Sequence, residues 1–402
     1  MNPHLKKLYE LSTAPSRLII GLMSGTSLDG LDIALCRFEG SGIATKTTLL
    51  NFKTIAYDAA FKEELKAISF KEQVDLQKLC LLNAYIGTYH AALVLQCLAE
   101  WGVDPATVDV VASHGQTVFH APQTKHQQAQ WPNATLQIGD GDHLAVKSGL
   151  LTISDFRQKH ITAGGEGARL AVYGDYLIFS SREEHRILLN IGGIANFTYL
   201  PSGSQTAEVF STDVGPGNTM MDQYVQQFYP GMTYDQDGLL AAAGEINQTL
   251  LKALLDEPFL DLPFPKTTGP ELFNLNYLNQ ALAGINEKPG HEDILATLCE
   301  FTAITITNAI TRAFDSPGLE QALDFEIYVS GGGMHNQLLL QKLEQRLQKN
   351  IRNTSALGID PDAKEAVLFA LLANECLTGG RLDFGSRPGL PSVMMGKISL
   401  PA

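Results

Sequence analysis

Positive charge is what this 402-residue chain has least of: 29 Lys and Arg stand against 43 Asp and Glu, a formal net charge of -14 at pH 7. Neutralising nucleic-acid phosphates needs a basic face, so no nucleic-acid partner is expected. Cysteine is also scarce. Cys36, Cys80, Cys97, Cys299 and Cys376 are scattered, odd in number and never spaced as CxxC, which argues against a disulfide framework or a zinc site and for a reducing compartment. No stretch approaches the ~18 uninterrupted apolar residues of a membrane span. The N-terminal MNPHLKKLYELSTAPSR has no signal-peptide core, so a cytoplasmic location without a membrane partner is expected. Low-complexity sequence is absent.

What remains is a turn-rich globular composition, 45% hydrophobic with 36 glycines, in a chain long enough for two domains. Leu18 to Phe38 reads as a β-hairpin with the polar tip Ser24-Gly25-Thr26-Ser27. Glycines at 25 and 30 would allow positive φ and close backbone approach, while Ser24, Thr26 and Ser27 add hydroxyl donors, which is phosphate-cradling chemistry. Asp29 and Asp32 follow, where carboxylates can hold Mg²⁺ directly or through water; the alternative reading of Asp32 is a residue that merely pins the hairpin. Thr47 to Ile55 adds a third strand, and Glu72 to Trp101 carries the apolar spacing of a buried helix. Val108 to Ala112 is a short strand that places Ser113-His114-Gly115-Gln116-Thr117 at its C-terminal end, where open α/β sheets carry ligand-binding groups. His114 is read either as a substrate contact or as a hydrogen-bonded structural residue.

Gln123 to Asn133 is polar and pattern-free, an exposed excursion, and Thr135 to Ile138 resumes as strand. Lys147-Ser148 is not a P-loop, because Val146 stands where the motif requires glycine. Leu150 to Ser154 is a strand ending at Asp155-Phe156-Arg157, and a glycine-rich loop follows at Thr162 to Arg169. An acid at a strand end facing such a loop suits a general base.

The hairpin logic starts again near Arg186. Ile187 to Asn190, a turn at Gly192-Gly193, and Ile194 to Leu200 repeat the first element about 170 residues later, implying two similar lobes at residues 1–182 and 183–402. A strand at Glu208 to Thr212 ends in Asp213-Val214-Gly215-Pro216-Gly217-Asn218, another acid with a glycine turn, before a helix near Met220 that Asp213 is placed to cap. Proline-rich Pro258 to Pro270 is expected to be irregular. His291 to Phe314 is a long helix whose threonines lower its propensity, so burial must hold it. Phe325 to Val329 leads into Gly331, Gly332 and Gly333, bare backbone against which a nucleotide can lie, with a helix directly after. Asp360 is expected as an N-cap with Pro361 at the first helical position, Glu365 as first-turn chemistry, and the C-terminus as loop with a closing strand.

MSGTSLDG (23–30), SHGQT (113–117), SDFR (154–157), NIGGIAN (190–196), DVGPGN (213–218), YDQDG (234–238), KTTG (266–269), SGGGMHN (330–336) and GIDPDAKEA (358–366) occur in order over nearly the whole chain. Together they resemble the anhydro-N-acetylmuramic acid kinase family. The resemblance implies an α/β fold of the actin, Hsp70 and sugar-kinase class, two RNase H-like lobes closing on ATP and Mg²⁺, and a homodimer. It further implies phosphorylation at O6 of 1,6-anhydro-N-acetylmuramic acid while water opens the anhydro bridge, a step of cell-wall recycling. By that likeness Gly25, Thr26, Ser27, Leu28, Asp29, Gly30, Leu31 and Asp32 form the first phosphate element, and Asn190, Gly192, Gly193, Asp213 and Gly215 the second. Gly331, Gly332 and Gly333 lie near the adenosine, Asp32 and Asp213 are the metal residues, and Asp155 is the base that activates water. His114, Gln116, Thr117, Arg157 and Gly165 are the sugar contacts. Two departures bear on substrate: the family's GAPLVP is Gly167-Ala168-Arg169-Leu170-Ala171-Val172 here, and Pro270 stands where KSTGRE has arginine. Arg169 either takes over binding of the lactyl carboxylate or is surface drift. A kinase of another anhydro-sugar such as levoglucosan, or a non-catalytic ATP switch, are the alternatives.

Overall fold

The computed structural model describes residues 2–168, 170–204, 208–286, 288–314, 324–379, 384 and 390–402. They form two compact units, one of Met1–Ile178 with Gly358–Ala402 and one of Phe179–Leu357. Residues 358–402 therefore belong with the first unit, whereas the sequence reading placed them in the second lobe. The cause is packing that periodicity cannot show: the Lys364–Thr378 helix lies on the central strand of the first sheet, where an added Cβ at Gly21 would sit 1.9 Å from the Ala366 carbonyl oxygen.

In the first unit, β1 (Ser16–Ser24), β2 (Gly30–Glu39) and β3 (Lys46–Ala56) form an antiparallel meander. β4 (Val110–Ala121) and β6 (Thr152–Ser154) continue it in parallel. β5 (Ala134–Ile138) pairs with the outer part of β4, and β12 (Lys397–Ser399) closes the edge beside β6. β1 is buried along nearly its whole length because it is flanked on both sides and covered by helices, as expected of an interior strand. The Leu76–Glu100 helix, capped by Asp75 accepting from the Lys78 amide at 3.1 Å, packs Ile86, Val94 and Leu98 into this core.

The second unit repeats the scheme. β7 (His185–Ile191), β8 (Ile194–Leu200) and β9 (Phe210–Pro216) form a meander, and β10 (Phe325–Ser330) and β11 (Ile351–Asn353) add parallel strands. The two orders, β3-β2-β1-β4-β6 and β9-β8-β7-β10-β11, are the same RNase H-like path. The His291–Phe314 helix is buried almost throughout. Thr297 donates to the Asp293 carbonyl at 2.6 Å, Thr307 to that of Ala303 at 2.7 Å and Thr302 across to that of Gly217 at 3.2 Å, so burial costs these threonines little. This helix and Leu76–Glu100 are each long and apolar enough to cross a bilayer on length and composition alone, which the sequence reading did not anticipate; both pack apolar residues into a core.

Three local expectations change. Pro258–Asp261 is a one-turn helix, since Pro258 occupies its first position and Glu257 caps the Phe259 amide at 3.0 Å. Asp360 caps not the helix but a preceding turn, accepting from the Asp362 amide at 2.9 Å, and the helix begins at Lys364. The Ser113 to Thr117 motif lies inside β4 and not beyond its end: Gly115, at φ +72, bulges the strand and lets it continue to Ala121.

Candidate active site

In the first unit the tip between β1 and β2 is a turn in which the Leu28 amide donates to the Gly25 carbonyl at 3.3 Å. The left-handed residue is Leu28, at φ +59, and not a glycine; its buried side chain holds that conformation, and Thr26, Ser27 and Asp29 are left exposed. Gly30 is needed for a different reason, since a Cβ there would meet the Ile55 carbonyl oxygen at 2.4 Å. A Cβ at Gly25 would meet only Ser27 Oγ, at an ordinary 3.6 Å, and Leu31 is a core residue.

Asp32 accepts from the Thr54 hydroxyl on β3 at 2.5 Å, so it does pin the hairpin. Burial pushes its carboxyl up to about 6, opposed by the Thr54 hydrogen bond and assisted by smaller pushes from the negative charges of Glu365, Asp362 and Asp29. A carboxyl raised in the native state favours the protonated form, so its contribution to stability falls as pH rises from about 4 through about 6. Asp32→Asn is therefore expected to raise the melting temperature at pH 7.5 and to leave it unchanged at pH 4, in thermal unfolding without added metal. An unaltered melting temperature at both pH values would refute the strain assigned to Asp32. Hard carboxylate oxygens suit Mg²⁺ held largely through water, and among the described residues no group of three His, Cys, Asp or Glu side chains makes a protein-only cage.

Ser113 pairs with Ser154, so His114 and Asp155 follow at the same level of the adjacent parallel strands β4 and β6. Asp155 sits at φ +53, a conformation that aspartate tolerates, and its Oδ2 is ion-paired with Lys397 of β12. Two residues on, Arg157 Nε donates to His114 Nε2 at 3.0 Å and Nη1 to the Gly167 carbonyl at 2.6 Å. His114 Nε2 is thus an acceptor, and its Nδ1–H donates to the Gly115 carbonyl at 3.0 Å. Burial and the Arg157 charge hold the His114 imidazole well below its ordinary value, so it stays neutral and positions the guanidinium. Burial pushes Arg157 down to about 10, partly countered by Glu365. Burial pushes Glu365 up although the residue keeps a solvent-accessible face, and Lys364 and Arg157 oppose that push.

The glycine loop is built around His160, whose Nδ1 accepts from the Gly167 amide at 3.0 Å; a Cβ on Gly165 would strike the same ring at 2.2 Å. Arg169 lies outside the described residues. Gln116 and Thr117 face their own sheet, Gln116 bonding to Ser24 and Gly25 and Thr117 accepting from Gln137 at 3.2 Å.

In the second unit the Gly192 and Gly193 carbonyls accept from the Asn218 and Gly217 amides at 2.8 and 2.9 Å, tying one glycine turn to the next. Asn190 Oδ1 and the Ile191 carbonyl stand where a Cβ of Gly331, at φ +83, would come within 2.7 and 2.8 Å. Gly332 and Gly333 open a short turn, and the helix starts at Gln337 under an Asn336 cap. Gly215 passes close to Thr305 of the long helix. Asp213 does not cap the Thr219–Phe228 helix; its Oδ2 accepts from the Thr268 amide at 3.0 Å and holds the Lys266 to Gly269 segment. Lys266 itself turns inward onto the Phe259 and Leu260 carbonyls, and burial pushes its amine down to about 8. The Pro270 carbonyl accepts from Asn274 Nδ2 at 2.8 Å.

Sequence reasoning did not find Lys397, Tyr57, His90 or His160, and it set Glu365 aside as first-turn chemistry. Lys397 meets Asp155 across 242 positions, with no spacing to announce it.

Two RNase H-like units, each with glycine turns around its first hairpin, define the actin-like ATPase and sugar-kinase class. Residues 17–383 match the family description "Anhydro-N-acetylmuramic acid kinase". The chain is 55% identical over the full length of both chains to a protein so named from Pseudoalteromonas atlantica. It is 52% identical, over 99% of each, to another from Pseudoalteromonas translucida. The chain belongs to the anhydro-N-acetylmuramic acid kinase family, and it is a kinase. Similar solved structures include an activator of 2-hydroxyisocaproyl-CoA dehydratase from Clostridium difficile with bound ADPNP, at 12% identity and a TM-score of 0.38 over 90% of this chain and 96% of that one. A ROK family glucokinase from Streptomyces griseus in complex with glucose and AMPPNP matches at 12% identity and a TM-score of 0.33, over 88% and 97%.

Proposed function

We propose that the protein uses ATP to phosphorylate O6 of 1,6-anhydro-N-acetylmuramic acid as water opens the 1,6-anhydro bridge, giving N-acetylmuramic acid 6-phosphate and ADP in cytoplasmic cell-wall recycling. Beyond the relatives' printed name, the observation that carries this reading is the pairing of an acid and a fixed cation at one strand end. Asp155 stands at the level of His114, and His114 orients Arg157. Lys397 takes Asp155 Oδ2, which leaves Oδ1 to accept a proton from water as that water forms a bond to the anomeric carbon. The C1–O6 bond breaks with its electron pair on O6, and O6 then takes the γ-phosphoryl group, so no separate base on the sugar is required. Arg157 is the proposed partner of the substrate's lactyl carboxylate, alongside contacts from the Gly165 loop. Thr26 and Ser27 in the first unit, and the Gly192 and Gly331 turns in the second, are the proposed nucleotide contacts. Mg²⁺, when bound, supplies charge neutralisation on the phosphoryl oxygens, with Asp32 and Asp213 proposed to hold it. A homodimer is proposed on the family likeness.

With Mg-ATP and purified protein, ADP release is expected with 1,6-anhydro-N-acetylmuramic acid and not with levoglucosan, which lacks the lactyl acid and the N-acetyl group. Turnover on levoglucosan alone would reassign the substrate, and ATP binding without turnover on either sugar would favour a switch.

A further inference from the structure

Beneath the β1–β2 tip lies a buried chain of side-chain hydrogen bonds that joins Tyr57 and His90, two residues with no role assigned above, to Gln116 and Gly25. Tyr57, just past β3, donates from its hydroxyl to Ser24 Oγ at 2.9 Å, and Ser24 Oγ donates to Gln116 Oε1 at 2.6 Å. Gln116 Nε2 donates in turn to the Gly25 carbonyl at 3.2 Å. At the far end the Tyr57 oxygen lies 2.9 Å from His90 Nε2. Because the Tyr57 proton is committed to Ser24, His90 must be the donor there, which fixes its proton on Nε2. Every proton in the chain then points one way, from His90 through Tyr57, Ser24 and Gln116 to the Gly25 carbonyl.

We infer that Tyr57 and His90 are positioning residues that set which way the Gly25–Thr26 peptide faces, and so aim the Thr26 amide of the proposed phosphate loop. In a trans peptide the carbonyl and the following N–H point in opposite directions, and the described chain's one cis bond is Phe264–Pro265. With the Gly25 carbonyl drawn inward to Gln116, the Thr26 N–H is directed away from the sheet, toward the exposed side of the tip. The Gly25 carbonyl is held twice, by the Leu28 amide within the turn at 3.3 Å and by Gln116 Nε2 at 3.2 Å, and the buried chain is the part of that hold that reaches into the core.

His90 is fully buried, neutral, and leaves Nδ1 without a partner among the described residues. An apolar side chain at 90 would avoid that unsatisfied acceptor, which a core-filling role does not explain. The donor it supplies to Tyr57 accounts for a histidine at this place. The network also spans the Leu76–Glu100 helix, the segment after β3, β1 and β4, so the tip is tied to four parts of the unit at once.

This inference rests on the reading of the tip as a phosphate loop, and the test separates the two. Nucleotide affinity by calorimetry and KM values for ATP and sugar are compared for Tyr57→Phe, His90→Phe, His90→Gln and Gly25→Val. Tyr57→Phe and His90→Phe are expected to weaken ATP binding by about 5- to 20-fold, with the KM for sugar within twofold. His90→Gln, whose amide can donate to Tyr57, is expected to recover most of the loss. A general structural role would lower the active fraction and leave both KM values alone. If Gly25→Val weakens nucleotide binding and Tyr57→Phe does not, the positioning role is overturned. If Gly25→Val binds nucleotide normally, the loop reading falls and takes this inference with it. Should Tyr57→Phe fail to fold, Ser24→Ala, at the next link, carries the same expectation.

Discussion

Asp155→Asn is expected to lower turnover by about 10²- to 10⁴-fold, the usual range for a general base, while the dissociation constant for ATP stays within twofold. The substitution is a clean one for a structural reason. Asp155 lies at φ +53, where asparagine is nearly as comfortable as aspartate, so the change removes charge and proton acceptance without straining the strand end. Alanine at the same place would mix backbone strain into the result. Lys397→Ala is expected to matter far less, because Lys397 is 61% exposed in its pair with Asp155 and solvent screens such pairs. Single-turnover kinetics with saturating sugar and Mg-ATP is the measurement. An asparagine variant that keeps turnover within threefold would move the base elsewhere, with Glu365 the next acid to examine.

The largest stability effect is expected from Gly21→Ala. The new methyl would lie 1.9 Å from the Ala366 carbonyl oxygen, 2.8 Å from its carbon and 3.0 Å from the Ala370 Cβ. Two of those atoms are helix backbone and the substituted residue is in the central strand, so neither side can yield by a rotamer change. Overpacking of this kind costs about 3 kcal/mol or more. In a unit of this size that lowers the melting temperature by roughly 6 to 12 °C. Gly284→Ala, whose Cβ would meet nothing nearer than the Ala281 carbonyl at 3.7 Å, is the control and is expected to melt within about 2 °C of the parent. A Gly21→Ala protein that melts with the control would mean that the helix does not press on β1 as described.

The two meanders were legible because hairpins announce themselves locally. Leu18 to Phe38 and Ile187 to Leu200 are apolar runs broken by short polar or glycine turns, and the structure places both as adjacent antiparallel strands. The His291–Phe314 helix was legible from end to end because its apolar surface is nearly continuous. The extent of β4 was not, since Gly115 looks like a terminator in sequence and acts as a bulge in the sheet. The freedom at the tip was assigned to the wrong residue for a related reason. Glycine marks where positive φ is cheap, but a buried leucine takes it at position 28 because its side chain is anchored in the core. The proposed site residues fared by kind. Asp155, directly after β6, and Arg157, at the start of the Arg157–Thr162 helix, stood out in sequence as an acid and a cation following a strand. What they touch did not, because His114, Lys397 and Gly167 reach them from separate elements.

The return of residues 358–402 to the first unit has a consequence for the order in which the chain can assemble. On the ribosome, Phe179–Leu357 is synthesised as one uninterrupted run and holds all five strands of its sheet, so it can fold while the chain is still growing. The earlier-made Met1–Ile178 must wait, with the β1 face around Gly21 uncovered until Lys364–Thr378 emerges and with no β12 beside β6 until Lys397–Ser399 emerges. The unit that begins first is completed after the other, and released chains truncated before residue 364 should expose that apolar face to chaperones while protecting residues 179–357 from protease.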